Sequence, residues 1–302
     1  KNIDKMIFIF NSFKNFNPLK INYLKTNFGK FFNLARHLDN KKCRHYFIGF
    51  KIFTIFGENM LSNYQNIGFL GETEQQYNQL IELVIKHKNH QQHSHDFNYD
   101  IYRDMNGLEL WLILNSNHQI TSLEPYFKGQ THQIGVDGLF VDEVYGTGWV
   151  QGWINATAYE NDEWVNGDCP LIIDVPNVAT LGDIGGHIIQ MNLCAFAREI
   201  EIFDNQESYD NSGQIWASES LSPSGMFTGG EGNITARIHL SGEVVKVNCL
   251  VNKLTNLKFY HCQIKSYGGI FDAVYAIDLF EKMPKTGNII TGNYWLTGQI
   301  CH

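Results

Sequence analysis

The stretch ITARIHLSGEVVKVNCLVN, residues 234–252, alternates apolar and polar side chains with a period of two, the spacing of a strand with one buried face. Ala236, Ile238 and Leu240 fall on one face, and Arg237, His239 and Ser241 on the other. Gly242 interrupts the alternation, and a glycine inside a strand marks a bulge or a sharp bend. A long strand bent at a glycine lets a sheet curl towards closure.

The flanking sequence continues in the same idiom. KFYHCQIKS (258–266) and IFDAVYAID (270–278) read as strands joined by Tyr267-Gly268-Gly269, and Pro284 to Gly287 turns the chain into a closing strand, GNIITGNYWLTGQI (287–300). Before the bent strand come HIIQMNLCAFAREIEIF (187–203), QIWASES (214–220) and a glycine-rich connection, SPSGMFTGGEGN (222–233). Residues 181–302 are therefore expected to form a β domain, an OB-like small barrel or a β-sandwich.

Residues 60–180 read as an α+β domain. Thr73 is placed to cap a helix over 73–87, with Gln76 completing a capping box. Tyr77, Leu80, Ile81, Val84 and Ile85 follow at helical spacing. HKNHQQHSHDFN (87–98) reads as a polar loop. YDIYRD (99–104) and LELWLILN (108–115) flank Met105-Asn106-Gly107, a hairpin signal, and HQITSLEPYF (118–127) adds a third strand. GTGWVQGWINATAY (146–159) predicts a bent strand or strand pair, and PLIIDVPN (170–177) a buried strand ended by Pro176. The small, turn-rich VATLGDIGG (178–186) marks a soft boundary. The fold class is thus mainly β, α+β overall, with an N-terminal helix and an antiparallel meander ahead of the barrel.

The opening differs in kind. Residues 1–59 hold 11 Phe, 9 Asn and 11 Lys or Arg against 3 acidic residues, a net of +8, while residues 60–302 hold 12 Lys or Arg against 28 acidic residues, a net of −16. Lacking a steady period, residues 1–59 read as a non-native or disordered basic extension, with Met60 as the natural start. HYFIGFKIFTIF (45–56) is too short to span a membrane and carries Lys51.

A body at −16 lacks the cations that non-specific nucleic-acid binding requires, so nucleic acid is an unlikely partner and a basic protein is the expected one. The six cysteines are scattered with no C-x-x-C pair, as in a cytoplasmic protein with reduced thiols.

Several constellations could carry chemistry. His87, His90, His93 and His95 are close enough in sequence to be candidate metal ligands. Asp142, Glu143, Glu160, Asp162 and Glu163 flank Trp149, Trp153 and Trp164, a carboxylate–aromatic combination found where sugars bind or are cleaved. His261 and Cys262 are adjacent on a strand and so point to opposite faces. No nucleophile elbow, zinc-protease motif or phosphate loop occurs, and no cofactor is called for. In the closing strand Tyr294 and Leu296 are expected in the core, with Trp295 on the other face. Trp149, Trp153 and Trp295 are the candidate ligand-binding residues.

The closing motif, Gly292, Tyr294, Trp295, Leu296 and Gly298, resembles the ending of an uncharacterised bacterial protein family with the pattern G-x-Y/F-W-L-S/T-G-x-I. The resemblance implies no activity. The expectation is a non-enzymatic protein-interaction module, with an immunity-type protein against a basic toxin, a nucleic-acid-binding OB module and a carbohydrate-binding protein as alternatives.

Overall fold

The computed structural model describes residues 61–226 and 234–301. The basic extension, Met60 and residues 227–233 of the glycine-rich connection lie outside the described residues.

Helix α1, Leu61–Gln65, is followed by α2, Glu74–His87. Thr73 caps α2 as expected: its hydroxyl accepts from the Gln76 amide at 3.2 Å, and the Gln76 side chain accepts from the Thr73 amide at 3.1 Å. Both donors are ones the first turn cannot satisfy internally. Leu80 and Val84, one turn apart, are buried.

Four antiparallel strands follow in sequential order: β1 His90–His93, β2 Phe97–Arg103, β3 Leu108–Asn115 and β4 Ile120–Phe127. Gly107 takes a φ of +91° in the β2–β3 turn, a region open to glycine at no steric cost. The histidine-rich segment is not wholly a loop, as its composition implied. His90–His93 pairs antiparallel with β2, His90 opposite Ile101 and His93 opposite Asn98. Backbone pairing needs no apolar side chain, so a polar edge strand leaves no periodic trace.

The remaining strands form one nine-stranded mixed sheet and a small hairpin. In chain order they are β5 Gln130–Val141, β6 Gly148–Ile154, the hairpin β7 Ala158–Glu160 and β8 Glu163–Asn166, then β9 Cys169–Asp174 and β10 Ile188–Phe203. After the short helix α3, Gln206–Asp210, come β11 Ser220–Ser222, β12 Arg237–Val251, β13 Lys258–Ser266, β14 Gly269–Ala276 and β15 Ile289–Ile300. The sequence misplaced a strand over 214–220, of which only Ser220 belongs to one. The helix before it is a single turn capped by Asn205 and Ser208, too short to show a period.

The sheet closes on itself twice. β10 and β15 are paired antiparallel along most of their length, Met191 opposite Ile300 to Phe203 opposite Ile289. At one end of this pair β10 also bonds to β5, β5 to β6, β6 to β9, and β9 to β15 through Thr297 and Asp174. Directly after the β5 pairing, β10 bonds through Cys194–Phe196 to β14, β14 to β13, β13 to β12, and β12 to β15. Two five-stranded circuits thus share β10 and β15, and hydrogen bonding crosses residues 178–186, where composition marked a soft boundary.

The bent strand is what makes the second circuit possible. Residues 237–243 of β12 pair with β15, and 243–251 pair with β13. At the changeover, a Cβ on Gly242 would lie 2.3 Å from the Lys265 carbonyl oxygen, so only glycine admits the approach. The register slips two residues later, between Val244 and Lys246. One apolar core runs through both circuits, from Ile134, Val150, Leu171 and Leu193 to Leu240, Ile264, Phe271 and Tyr294. Among the described residues no helix is long and apolar enough to cross a membrane.

Candidate functional site

Residues opposite one another across a ladder share a face of the sheet. On the face of the shared wall turned away from the core of the two circuits, Trp295 of β15 stands between Phe196 of β10 and Arg237 of β12, and Trp295 and Phe196 are buried there in a second apolar cluster with Leu80 and Val84 of α2, Leu110 and Leu112 of β3 and Leu123 of β4. Two residues along, Thr297 stands between Cys194 and Asp174, and Asp174 is itself opposite Trp149 of β6, which is opposite Phe140 of β5. Two of the three sequence-predicted tryptophans are therefore brought together by an acid the sequence did not single out.

Asp174 is half-buried. Its Oδ2 accepts a hydrogen bond from the Trp295 indole N–H. Burial pushes its pKa up to about 6, against the opposing pull of that bond and of the Arg198 guanidinium. Trp149 is stacked on Phe140, with ring centroids 5.4 Å apart and planes 24° from parallel, and Phe140 is 48% exposed. Glu124 on β4 is a second acid coupled to Asp174. It is buried, takes a hydrogen bond from the Ser122 hydroxyl, and has its pKa pushed up to about 8, chiefly by burial. Glu109, also buried, is raised by burial but held down by Arg103, by the Trp111 indole at 2.7 Å and by Gln299 at 3.4 Å.

The other sequence-predicted residues lie elsewhere. Trp153 shares the outer face of β6 with Trp149 but is four residues along, opposite Gly135 and Pro170. Asp142 serves its own turn, accepting from the amides of Val144 and Tyr145 at 2.8 and 3.1 Å. Glu160 and Glu163 are paired in the small hairpin, and Asp162 sits in its turn with a φ of +66°. The histidines do not converge. All four are exposed. His90, His93 and His95 bond respectively to the Asn89 carbonyl, the Asn98 side chain and Asp96, at 2.6 to 2.8 Å. Among the described residues no group of three or more metal-competent side chains forms.

The closing strand divides as expected. Tyr294 and Leu296 are buried in the core, and the Tyr294 hydroxyl meets that of Tyr275 at 3.0 Å. His261 and Cys262 also separate: Cys262 joins the core, while on the opposite face His261 bonds the buried Asp272 at 2.6 Å and packs against Phe127.

A second polar group continues the outer face below Trp295. His239 Nε2 lies 3.1 Å from the Thr291 hydroxyl and 3.4 Å from that of Ser241, and its Nδ1 lies 3.4 Å from Asn293 Oδ1. Trp216 stacks on the imidazole at 4.7 Å. Burial lowers the His239 pKa, against the opposing hydrogen bond to Asn293. The two hydroxyls are buried in mid-strand, which suits a structural network better than a nucleophile.

No family model, no curated protein and no solved structure matches the chain.

Proposed function

We propose that the protein is a non-enzymatic carbohydrate-binding protein whose ligand lies at the edge formed by Phe140, Trp149 and Asp174, where the buried Trp295 holds the Asp174 carboxylate in place. The observation that carries this reading is the convergence of two tryptophans from different strands on one half-buried carboxylate that has no ion-pair partner among the described residues. Aromatic faces pack against sugar rings, and a carboxylate oxygen left over from the Trp295 bond accepts from sugar hydroxyls.

The topology supports it. Taken in chain order, the first circuit is β5, β6, β9, β10 and β15, the size of an OB-like barrel. In that fold the second and third strands form the face that takes oligosaccharides or oligonucleotides, and here those strands supply Trp149 and Asp174. The acidic body favours an uncharged polyhydroxylated chain over a polyphosphate. Binding rather than turnover follows from Glu124: the second carboxyl near Asp174 is buried and bonded to Ser122, with no free approach to a scissile bond.

A basic protein partner is the second reading. It is favoured by Phe140 and Val144, 48% and 64% exposed beside the same face. A glycan array and a panel of basic proteins, each read with wild type and with Trp149→Ala and Asp174→Asn, separate the two. Carbohydrate signals lost in both variants support the first reading, and binding confined to basic proteins replaces it with the second.

A further inference from the structure

Two layers meet along the seam that holds Trp295, the nine-stranded sheet on one side and the four-stranded sheet with α2 on the other. The contact is largely apolar: Leu110, Leu123 and Phe127 of the smaller sheet share a cluster with Ile172, Phe196 and Trp295 of the larger. Neutral hydrogen bonds also join the layers, from the Thr121 hydroxyl to the Tyr145 carbonyl at 2.8 Å, from the Tyr99 hydroxyl to the Gly146 carbonyl at 3.2 Å and from the Asn177 amide to Gln92 at 2.9 Å. Among the described residues each ion pair joins partners within one layer, and none crosses between them.

Two acids nevertheless meet there. Glu124 of β4 is buried and accepts from the Ser122 hydroxyl, and Asp174 of β9 accepts from the Trp295 indole. The groups around Glu124 offer no cation. They are Tyr64 of α1, whose hydroxyl donates to the Leu123 carbonyl at 2.5 Å, Tyr77 of α2, Trp111 opposite on β3, and Asp174 itself. Asp174 is drawn towards ionisation by Arg198 of β10, whose own charge is opposed by Arg237 and supported by Glu199. An ionised Asp174 therefore has a counter-charge in its own layer. An ionised Glu124 has none, and meets the charge of Asp174 as well.

We propose that Glu124 and Asp174 form a proton-operated latch between the two layers, closed while Glu124 carries its proton and released when both carboxyls are ionised. In the closed state a neutral Glu124, bonded to Ser122, lies near a single carboxylate that Arg198 balances. Loss of the Glu124 proton puts two like charges into a largely apolar seam, where unpaired charge is most costly to enclose, and no ion pair across the layers opposes the repulsion. Each sheet keeps its own ladder, so release parts the layers without unravelling either. The direction follows from linkage. Burial pushes the pKa of Glu124 up to about 8 and that of Asp174 up to about 6. A raised acid pKa stabilises the folded contact below the ordinary carboxylate range, and that stability is lost as pH rises through the folded value. The latch is closed in acid and loosens as pH climbs past the Glu124 value.

Trp295 is buried in the seam, whereas Tyr294 is buried in the core on the other face of β15. Hydroxyl-radical footprinting of the full chain at about pH 6 and about pH 9, on either side of the Glu124 value, reads the two separately. Oxidation of Trp295 is expected to rise at least about fivefold at the higher pH, as in a sub-global opening, while Tyr294 stays protected. Glu124→Gln keeps an acceptor for Ser122 and is expected to abolish the rise. If that variant fails to fold, Asp174→Asn, which removes the other charge, is expected to reduce it. Equal protection of Trp295 in wild type at both pH values overturns the latch. A rise that persists undiminished in the folded variants overturns its assignment to these two acids. Exposure of Tyr294 together with Trp295 marks unfolding of the whole chain and overturns a parting of layers.

Discussion

Tyr294 and Trp295 are consecutive in sequence and lie on opposite faces of β15, Tyr294 bonded to Tyr275 in one apolar core and Trp295 bonded to Asp174 in the second apolar cluster, beside Phe196. The period of two along β15 sends one aromatic into each of two apolar clusters, and Trp295 from its cluster fixes the Asp174 carboxylate. Tyr294→Phe is expected to destabilise the protein by about 1–2 kcal/mol, by leaving the Tyr275 hydroxyl without a buried partner. Leu296→Ala is expected to cost about 2–5 kcal/mol as a core truncation. Chemical denaturation measures both, and sugar affinity at a temperature where each variant is folded should be unchanged.

Trp149→Ala and Trp153→Ala truncate the same side-chain type on the same face of β6, but only Trp149 stands opposite Asp174. Trp149→Ala should abolish measurable oligosaccharide binding, whereas Trp153→Ala should change affinity less than about threefold, under 1 kcal/mol. Side-by-side titrations check this, and equal losses would mean that the strand face as a whole, not the Asp174 centre, holds the ligand.

Glu124 and Asp174 both have folded-state pKa values raised above their ordinary carboxylate values, to about 8 and about 6. A raised acid pKa means that the folded state holds its proton more tightly than the unfolded chain. The resulting stabilisation is complete below about pH 4 and is lost as pH rises through 6 and then 8. Glu124→Gln keeps an acceptor for Ser122 and removes the titration. It should raise the melting temperature by several degrees at pH 8 and have little effect at pH 4. Calorimetric scans at the two pH values read the difference, and an equal shift at both would locate the effect in packing rather than charge.

Gly242 and Gly182 provide a matched pair. A Cβ at Gly242 would meet the Lys265 carbonyl at 2.3 Å and Ile264 Cγ2 at 2.5 Å, while one at Gly182 would meet nothing within 4 Å. Gly242→Ala should destabilise by about 1–3 kcal/mol or more, because backbone must move. Gly182→Ala should be neutral or slightly stabilising through a less flexible unfolded chain. Urea midpoints measure both.

These effects differ in how far the sequence foretells them. Thr73 with Gln76, and Asn106-Gly107 between β-prone runs, are local chemistry, and each produced the element its pattern implies. The alternation around Gly242 likewise announced a bent strand, and the alternation in YWLTGQI separated Tyr294 and Leu296 from Trp295. The strand at His90–His93 was hidden because its side chains carry no apolar rhythm. The site was half-legible: Trp149 and Trp295 stood out as aromatics, but Asp174 looked like the polar end of a buried run, PLIIDVPN. Its approach to Trp295 spans 121 residues and depends on the β9–β15 pairing, which no local signal encodes. The carboxylates that the sequence did offer, Asp142, Glu160 and Glu163, lie in turns and a surface hairpin.

Oxidative footprinting of the tryptophans, with and without a saturating neutral hexasaccharide, tests most directly whether Trp149 belongs to the ligand face. The ligand is expected to protect Trp149 and to leave Trp153 and Trp216 unchanged in wild type, and to protect none of them in Asp174→Asn. Unchanged oxidation of Trp149 in the saturated wild-type protein would contradict the assignment of that face to the ligand.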